Sequence, residues 1–147
     1  MKIHIENNQI DLSFDKKNII KIVKTFLAFY KIKADEAAIY FVTEEEICKL
    51  HEDFFSDPSP TDCISFPLDS EDEPYRILGE IFVCPKTAVQ YAKNNHTNSL
   101  EELYLYVVHG LLHLIGFDDI EESDRSIMRA KEKEFMGYLK HNLPNIF

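Results

Sequence analysis

The residues best suited to chemistry in this sequence are two histidines and two aspartates in the run His-Gly-Leu-Leu-His-Leu-Ile-Gly-Phe-Asp-Asp, which begins at His109. If the run starts as a helix, His109 and His113 lie four positions apart and project from one face. Gly116 can adopt the left-handed conformation that often ends a helix, so a bend there can return Asp118 or Asp119 toward the imidazoles. Two imidazoles and one carboxylate, with one position left for water, form the ligand set of a catalytic zinc site.

The residue after the first histidine narrows the possible chemistry. Zinc peptidases carry a glutamate at this place in the motif H-E-x-x-H, where it acts as general base. Gly110 stands there in this chain. The pattern therefore favours a metallohydrolase acting on another substrate over a protease. Two histidines in an apolar helix can also be ordinary core or surface residues, but the Gly-x-x-Asp that follows them favours metal binding.

Two further blocks accompany the histidine run. Residues 61–67 are Thr-Asp-Cys-Ile-Ser-Phe-Pro, and residues 79–85 are Gly-Glu-Ile-Phe-Val-Cys-Pro. With the histidine run, they resemble the motifs Thr-Asp-Val-Leu-Ser-Phe-Pro, Gly-Asp-Ile-x-Ile-Cys-x and His-Gly-x-Leu-His-Leu-x-Gly-Tyr-Asp-His of the YbeY family of bacterial rRNA maturation endoribonucleases. The order and spacing of the blocks are those of the family, and the similarity covers most of residues 35–138. The resemblance implies a zincin-like fold and a metal-dependent endoribonuclease specific for single strands.

The resemblance also implies a set of metal ligands, with one departure from the family. His109 and His113 match two of the family's ligands, and the position of the third, usually a histidine, is Asp119 here. A carboxylate oxygen can bind zinc, which makes the ligand set harder and more anionic. We therefore predict one Zn²⁺ held by His109, His113 and Asp119.

Four other residues are candidates for the site. Asp118 is predicted either to orient a metal-bound histidine or to satisfy the turn after the helix. Ser65 and Asp62 come from the resemblance alone. We predict a catalytic role for Asp118 and Ser65. The alternatives are a turn carboxylate for Asp118 and Asp62, and a strand hydroxyl for Ser65. The family tends to carry an arginine that contacts substrate phosphate, and the matching position here is Phe55. No general base is identified.

Length and composition predict one domain spanning residues 1–147, with 45% hydrophobic residues. The chain has no run of 18 apolar residues and no signal-peptide core, so we expect no membrane association and a cytoplasmic location. Cys48, Cys63 and Cys84 are odd in number and widely spaced, which is typical of reduced thiols. The histidines outside the pair are predicted to be surface residues: His4, His51, His96 and His141.

The net charge of −10 argues against a protein that simply coats nucleic acid. Residues 1–33 nevertheless contain seven lysines against three acidic residues. Lys17, Lys21 and Lys24 recur at helical spacing, so they form either an ordinary solvated face or a stripe that faces RNA. The acidic remainder would suit a basic partner such as a ribosomal protein or the small ribosomal subunit.

Periodicity and capping signals predict an α+β domain in which a small mixed β-sheet is covered by helices. Residues 69–75 are predicted to be an acidic turn between two strands that pair as a hairpin, and residues 51–61 a loop. The predicted strands are 2–6, 37–42, 62–68 and 77–84. The predicted helices are one capped by Asp15 and reaching Tyr30, one capped by Thr43 and ending at Leu50, one from Pro85 to about Asn94, one capped by Ser99 that carries the histidine pair, and one capped by Ser123 and reaching Tyr138.

Three functions remain open at this stage. The resemblance favours a single-strand-specific endoribonuclease in rRNA maturation and ribosome quality control, with single-stranded RNA or rRNA as partner. The second is a metallohydrolase of another substrate class, such as a peptidase. The third is a non-catalytic ribosome-assembly factor in which a metal only stabilises the turn after the helix.

Overall fold

A computed structural model describes residues 1–147 and contains four strands, five α-helices and a short 3-10 helix. In chain order these are β1 (Lys2–Asn7), α1 (Lys16–Phe29), β2 (Glu36–Phe41), α2 (Glu44–Phe55), β3 (Cys63–Pro67), β4 (Ile77–Val83), α3 (Pro85–Asn95), α4 (Ser99–Leu114), α5 (Glu122–Asn142) and the 3-10 helix Pro144–Ile146.

The four strands form one mixed sheet in the order β1-β2-β4-β3. β1, β2 and β4 are parallel, and the helical crossovers that parallel neighbours require are provided by α1 and α2. β3 and β4 run antiparallel and place Ser65 opposite Ile81, so the predicted hairpin-like pair is confirmed. The mixed sheet with helices packed on it confirms the predicted α+β class.

The helix that carries the histidine pair lies at the centre of the fold. α4 packs against α1, α3, α5, β3 and β4. A helix segment that is apolar on nearly all sides is a buried one, and α4 is buried from Leu103 to Leu114 except at Leu105, His109 and His113, which are partly buried. Its fully buried side chains are Leu103, Tyr104, Val107, Val108, Leu111 and Leu112. The histidines are therefore carried by one of the most firmly packed elements of the molecule.

The second helix is longer than predicted. α2 continues past Leu50 to Phe55, so the prediction of a loop from residue 51 is wrong. The helix ends at Ser56, which has a left-handed φ of 56° and donates its amide hydrogen to a carbonyl of the last turn. Pro58 and Pro60, which predicted the loop, follow this helix end and do not interrupt the helix. The extra turn places His51 and Phe55 on regular helix.

Two predicted helix caps differ from the structure. Asn98, rather than Ser99, caps α4, because its side-chain oxygen accepts a hydrogen bond of 3.0 Å from the Glu101 amide. Helix α5 begins at Glu122 rather than after Ser123, and it continues past Tyr138 because Leu139 is buried in the core. The predicted caps Asp15 and Thr43 are confirmed by hydrogen bonds of 2.9 and 3.2 Å.

None of the helices is both long and apolar enough to cross a membrane.

Candidate metal centre

Three donor atoms from the histidine run meet at the C-terminal end of α4. The Nε2 atoms of His109 and His113 are 3.1 Å apart, and each lies 3.4 Å from Oδ2 of Asp119. Ligands of a tetrahedral ion with bonds of about 2.0–2.1 Å are separated from one another by about 3.3 Å. The spacing of the three donors thus fits a tetrahedral divalent ion, whose fourth coordination position would be free for water.

The bend after α4 returns Asp119 to the histidines. Gly116 has a φ of +106°, a conformation that side chains disfavour, as its place after the helix predicts. The amides of Gly116 and Phe117 each donate a hydrogen bond of 3.0 Å to carbonyls in the last turn of α4. Oδ1 of Asp118 then accepts a hydrogen bond of 2.9 Å from the Asp119 amide. Asp118 therefore supports the turn, which is one of its two predicted roles.

A carboxylate that the sequence did not indicate contacts the other side of His109. Oε2 of Glu132, on α5, lies 3.3 Å from Nδ1 of His109, and the two side chains are only 15% and 18% exposed. A carboxylate that accepts the Nδ1 proton of a histidine leaves Nε2 as the metal-binding atom and orients the ring. The spacing in the sequence could have indicated that Glu132 faces the interior. It lies four positions after buried Met128 and three before buried Phe135, on the apolar face of α5.

The charges around His109 change the pKa of its imidazole. Burial favours the neutral ring and lowers the pKa. The hydrogen bond to Glu132 and the negative charges of Asp62, Glu132 and Asp119 outweigh burial, so the pKa of His109 is raised overall. The surroundings of this imidazole thus favour positive charge, which is the electrostatic property that a cation site requires.

An open cavity of about 360 Å³ lies beside the three donors. It is lined by His109, His113 and Asp119 and by the other residues singled out from the sequence, namely Asp62, Ser65, Asp118 and Phe55. No lysine or arginine is among its lining residues. The basic residues of α1, Lys17, Lys21 and Lys24, are exposed but do not line this cavity.

Ser65 and Gly110 explain why a peptidase glutamate is missing. Gly110 packs directly over the Ser65–Ile81 pair of the sheet, and the Ser65 hydroxyl donates a hydrogen bond of 3.3 Å to the Gly110 carbonyl. A Cβ atom at Gly110 would lie 2.6 Å from Cγ2 of Ile81 and 3.2 Å from Oγ of Ser65. The helix therefore approaches the sheet too closely for any side chain at this position.

Asp62 and Cys63 line the cavity without offering a further metal ligand. Oδ1 of Asp62 accepts hydrogen bonds from the Cys63 amide at 2.7 Å and the Thr61 hydroxyl at 3.3 Å, which is the predicted turn alternative. Burial, together with the negative charges of Asp62, Asp119 and Glu132, holds the pKa of the Cys63 thiol well above its usual range. The thiol therefore stays neutral, and a neutral thiol is a poor metal ligand.

His51 is also part of the cavity wall. Its side chain is 20% exposed, and Nδ1 lies 2.8 Å from the carbonyl oxygen of Ser59, so Nδ1 carries a proton and donates it. The prediction that His51 is a plain surface residue is wrong. The extra turn of α2 places His51 at the cavity. This turn was not predicted, because the prolines near residue 58 indicated a loop.

Comparison with known proteins gives matches over nearly the whole chain. Residues 3–140 match the sequence model of the family described as Endoribonuclease YbeY. A relative with that name from Protochlamydia amoebophila is 52% identical over 94% of this chain and 93% of its own length. Another, from Chlamydia trachomatis serovar D, is 37% identical over 94% of this chain and 88% of its own.

Among solved structures, the fold is similar to the solution structure of TM1509 from Thermotoga maritima. The TM-score is 0.67 at 27% identity, and the match covers 97% of this chain and 92% of the other. Sequence and fold thus agree over almost the full length of both proteins. The chain belongs to the YbeY endoribonuclease family.

Proposed function

We propose that this chain is a zinc-dependent endoribonuclease that cuts single-stranded RNA during rRNA maturation and ribosome quality control. The proposal rests on one observation above all: His109, His113 and Asp119 have the spacing of tetrahedral ligands beside an open cavity. Membership of a family named for endoribonuclease activity supports RNA as the substrate. Zinc suits two imidazoles and one carboxylate.

The residues around the cluster would prepare the site for phosphodiester cleavage. A bound zinc ion would supply an acidic water near neutral pH and a positive charge beside a phosphoryl oxygen. Glu132 accepts the Nδ1 proton of His109 and so keeps Nε2 directed toward the metal position. The bend at Gly116 holds the carboxylate of Asp119 in place.

We propose Asp118 and Ser65 as the catalytic residues that act beside the metal. One oxygen of Asp118 accepts the Asp119 amide, and the second makes no hydrogen bond to the protein, so it is available to accept a proton within the cavity. The hydroxyl of Ser65 donates to Gly110 and keeps its lone pairs for a donor group of the substrate.

We also propose ribosomal proteins or the small ribosomal subunit as partners, and a cytoplasmic location for the reaction. The net charge of −10 supports docking on a basic protein surface. One observation favours the alternative of a non-catalytic assembly factor: no lysine or arginine lines the cavity to neutralise RNA phosphate. A peptidase is disfavoured because Gly110 leaves no room for the glutamate that such enzymes use.

The test begins with protein purified without a metal-affinity step, so that its metal content can be measured directly. We expect about one zinc ion per chain. The protein should cleave single-stranded RNA, lose this activity in a chelator and regain it with added zinc. His113→Ala should abolish cleavage, whereas His141→Ala, at an exposed position on α5, should not change it.

Three outcomes would contradict the proposal. Full cleavage by His113→Ala would assign the activity to a contaminating ribonuclease. Hydrolysis of peptides but not RNA would indicate a metallohydrolase of another class. Absence of any cleavage, together with full rescue of growth and rRNA processing by His113→Ala in a deletion strain, would identify an assembly factor.

A further inference from the structure

Phe55 is the most exposed aromatic side chain in the wall of the metal cavity. The residue is 57% exposed, although an exposed phenyl ring forfeits the stabilisation that burial would give it. Ile120, which directly follows the ligand Asp119, is 71% exposed in the same wall. The cavity thus combines metal ligands, acidic groups and exposed apolar surface.

The position of Phe55 is determined by regular structure rather than by a loose loop. It is the last residue of α2, and Ser56 ends the helix in the left-handed conformation. The ring centroid of Phe55 lies 5.7 Å from that of His51, whose own ring is held by the carbonyl of Ser59. The phenyl ring is therefore presented to the cavity from a defined platform.

The neighbouring Phe54 is different, although its exposed fraction is similar. Its ring packs against Phe66, with centroids 4.9 Å apart, and it does not line the cavity. Two adjacent phenylalanines at the end of α2 thus contact different surroundings. Only Phe55 offers its ring to a molecule bound at the metal centre.

The cavity lacks the groups that usually bind phosphate. Its wall contains no lysine or arginine, and the guanidinium of Arg125 donates to the Ile120 carbonyl without lining the cavity. Proteins that bind single strands also use aromatic rings, on which unpaired bases stack whatever their sequence. Bases within a duplex are already stacked on one another and cannot reach such a ring.

We propose that Phe55 stacks against one unpaired base of the RNA beside the position that is cut, so that base stacking holds the substrate at the centre. The proposal rests on the proposed function. It makes Phe55 a specificity-determining residue: the chain selects single-stranded RNA because only an unpaired base can reach the ring. It also explains why the arginine implied by the family resemblance can be absent at this position.

The test measures binding and cleavage separately. Binding uses a fluorescent single-stranded 2′-O-methyl RNA, which resists cleavage, with the zinc-loaded protein. A series of otherwise identical RNAs, each with one abasic nucleotide, locates the stacked base. Loss of one stacked base weakens binding by about five- to 150-fold. We expect this loss for one position with the unchanged protein and with Phe55→Trp.

Phe55→Ala should weaken binding of the intact RNA by the same factor and should no longer respond to the abasic nucleotide at that position. Phe54→Ala, the matched control, should bind and discriminate like the unchanged protein. Phe55→Arg should make binding more sensitive to salt, with a slope steeper by about 0.7 in log Kd against log salt for one added phosphate contact.

The outcomes separate this proposal from the proposed function. Equal binding by Phe55→Ala and the unchanged protein, or an equal response of both to every abasic RNA, would overturn the stacking role while leaving the ribonuclease intact. Binding that depends on Phe55 without any cleavage of unmodified RNA would overturn the ribonuclease and support the stacking site. No binding of the 2′-O-methyl RNA by the unchanged protein would overturn the stacking role, and the absence of cleavage of unmodified RNA as well would overturn both proposals.

Discussion

Glu132 on α5 and His109 on α4 are joined by a contact of 3.3 Å between Oε2 and Nδ1. The contact links the last long helix to the proposed metal centre, although the two residues are far apart in sequence. Glu132 lies on the same face of α5 as buried Met128 and Phe135, where an apolar side chain would be expected. A carboxylate placed there loses part of its hydration, and the contact with His109 compensates for this loss.

Removal of this carboxylate should weaken metal binding. We expect Glu132→Ala to lower zinc affinity by about 10- to 100-fold, because His109 loses the acceptor that orients its ring and increases its basicity. Glu132→Gln should lie nearer the small end of that range, since an amide oxygen can still accept the Nδ1 proton. Competition with a chromophoric chelator measures the affinities.

The control for Glu132 is Glu134, two positions along the same helix. Glu134 is exposed and faces Lys131 at 3.9 Å, so Glu134→Ala should leave zinc affinity unchanged. Equal affinities for Glu132→Ala and Glu134→Ala would show that the contact with His109 does not support the metal.

The two aspartates after the bend should respond differently to loss of charge. Asp119→Asn removes a proposed ligand and should reduce zinc affinity by more than about 100-fold. That factor is the upper end of the loss expected when a residue that only contacts a metal ligand is changed. Asp119→His offers a third imidazole and should retain the metal. Asp118→Asn can still accept the Asp119 amide and should bind zinc normally. Zinc content after gel filtration would compare the three; loss of zinc from Asp118→Asn alone would reassign the ligand.

A single added methyl group at Gly110 should destabilise the protein. Gly110→Ala inserts a Cβ 2.6 Å from Ile81, and such overpacking costs about 1–3 kcal/mol. Alanine recovers about 1 kcal/mol through helix propensity, so the net effect is a loss of stability of up to about 2 kcal/mol. Gly137→Ala is the control: nothing lies near Gly137 on α5, so it should gain about 1 kcal/mol. Denaturant unfolding measures both, and a stabilised Gly110→Ala would disprove the close packing.

The parts of the site that could be predicted are those determined by local geometry. His109 and His113 share a helix face because of the helical period, and Asp119 follows a glycine whose left-handed φ ends the helix. Both relationships are contained in one short run of residues. The cluster of His109, His113 and Asp119 could therefore be located before the rest of the fold was known.

The residues that were missed depend on contacts between distant elements. Glu132 reaches His109 only because α5 packs on α4, and His51 and Phe55 reach the cavity only because α2 is one turn longer than Pro58 suggested. The order β1-β2-β4-β3 likewise follows from how the helices cross the sheet. Local propensity contains no information about such pairings, because tertiary packing decides them.

The stability of the protein should depend on pH in opposite directions with and without metal. In the metal-free protein the pKa of His109 is raised, because Glu132, Asp62 and Asp119 outweigh the effect of burial. Protonation therefore stabilises the folded state: this stabilisation is complete below the ordinary histidine pKa of about 6.5 and is lost as pH rises through the raised value. Zinc requires the neutral imidazole, so the loaded protein should instead lose its added stability as pH falls through the same range.

Thermal unfolding of both the metal-free and the zinc-loaded protein across this pH range would show the contrast. The comparison is with metal-free His109→Gln. If the Tm of the metal-free protein does not fall relative to that of the variant above pH about 6.5, the raised pKa of His109 is contradicted.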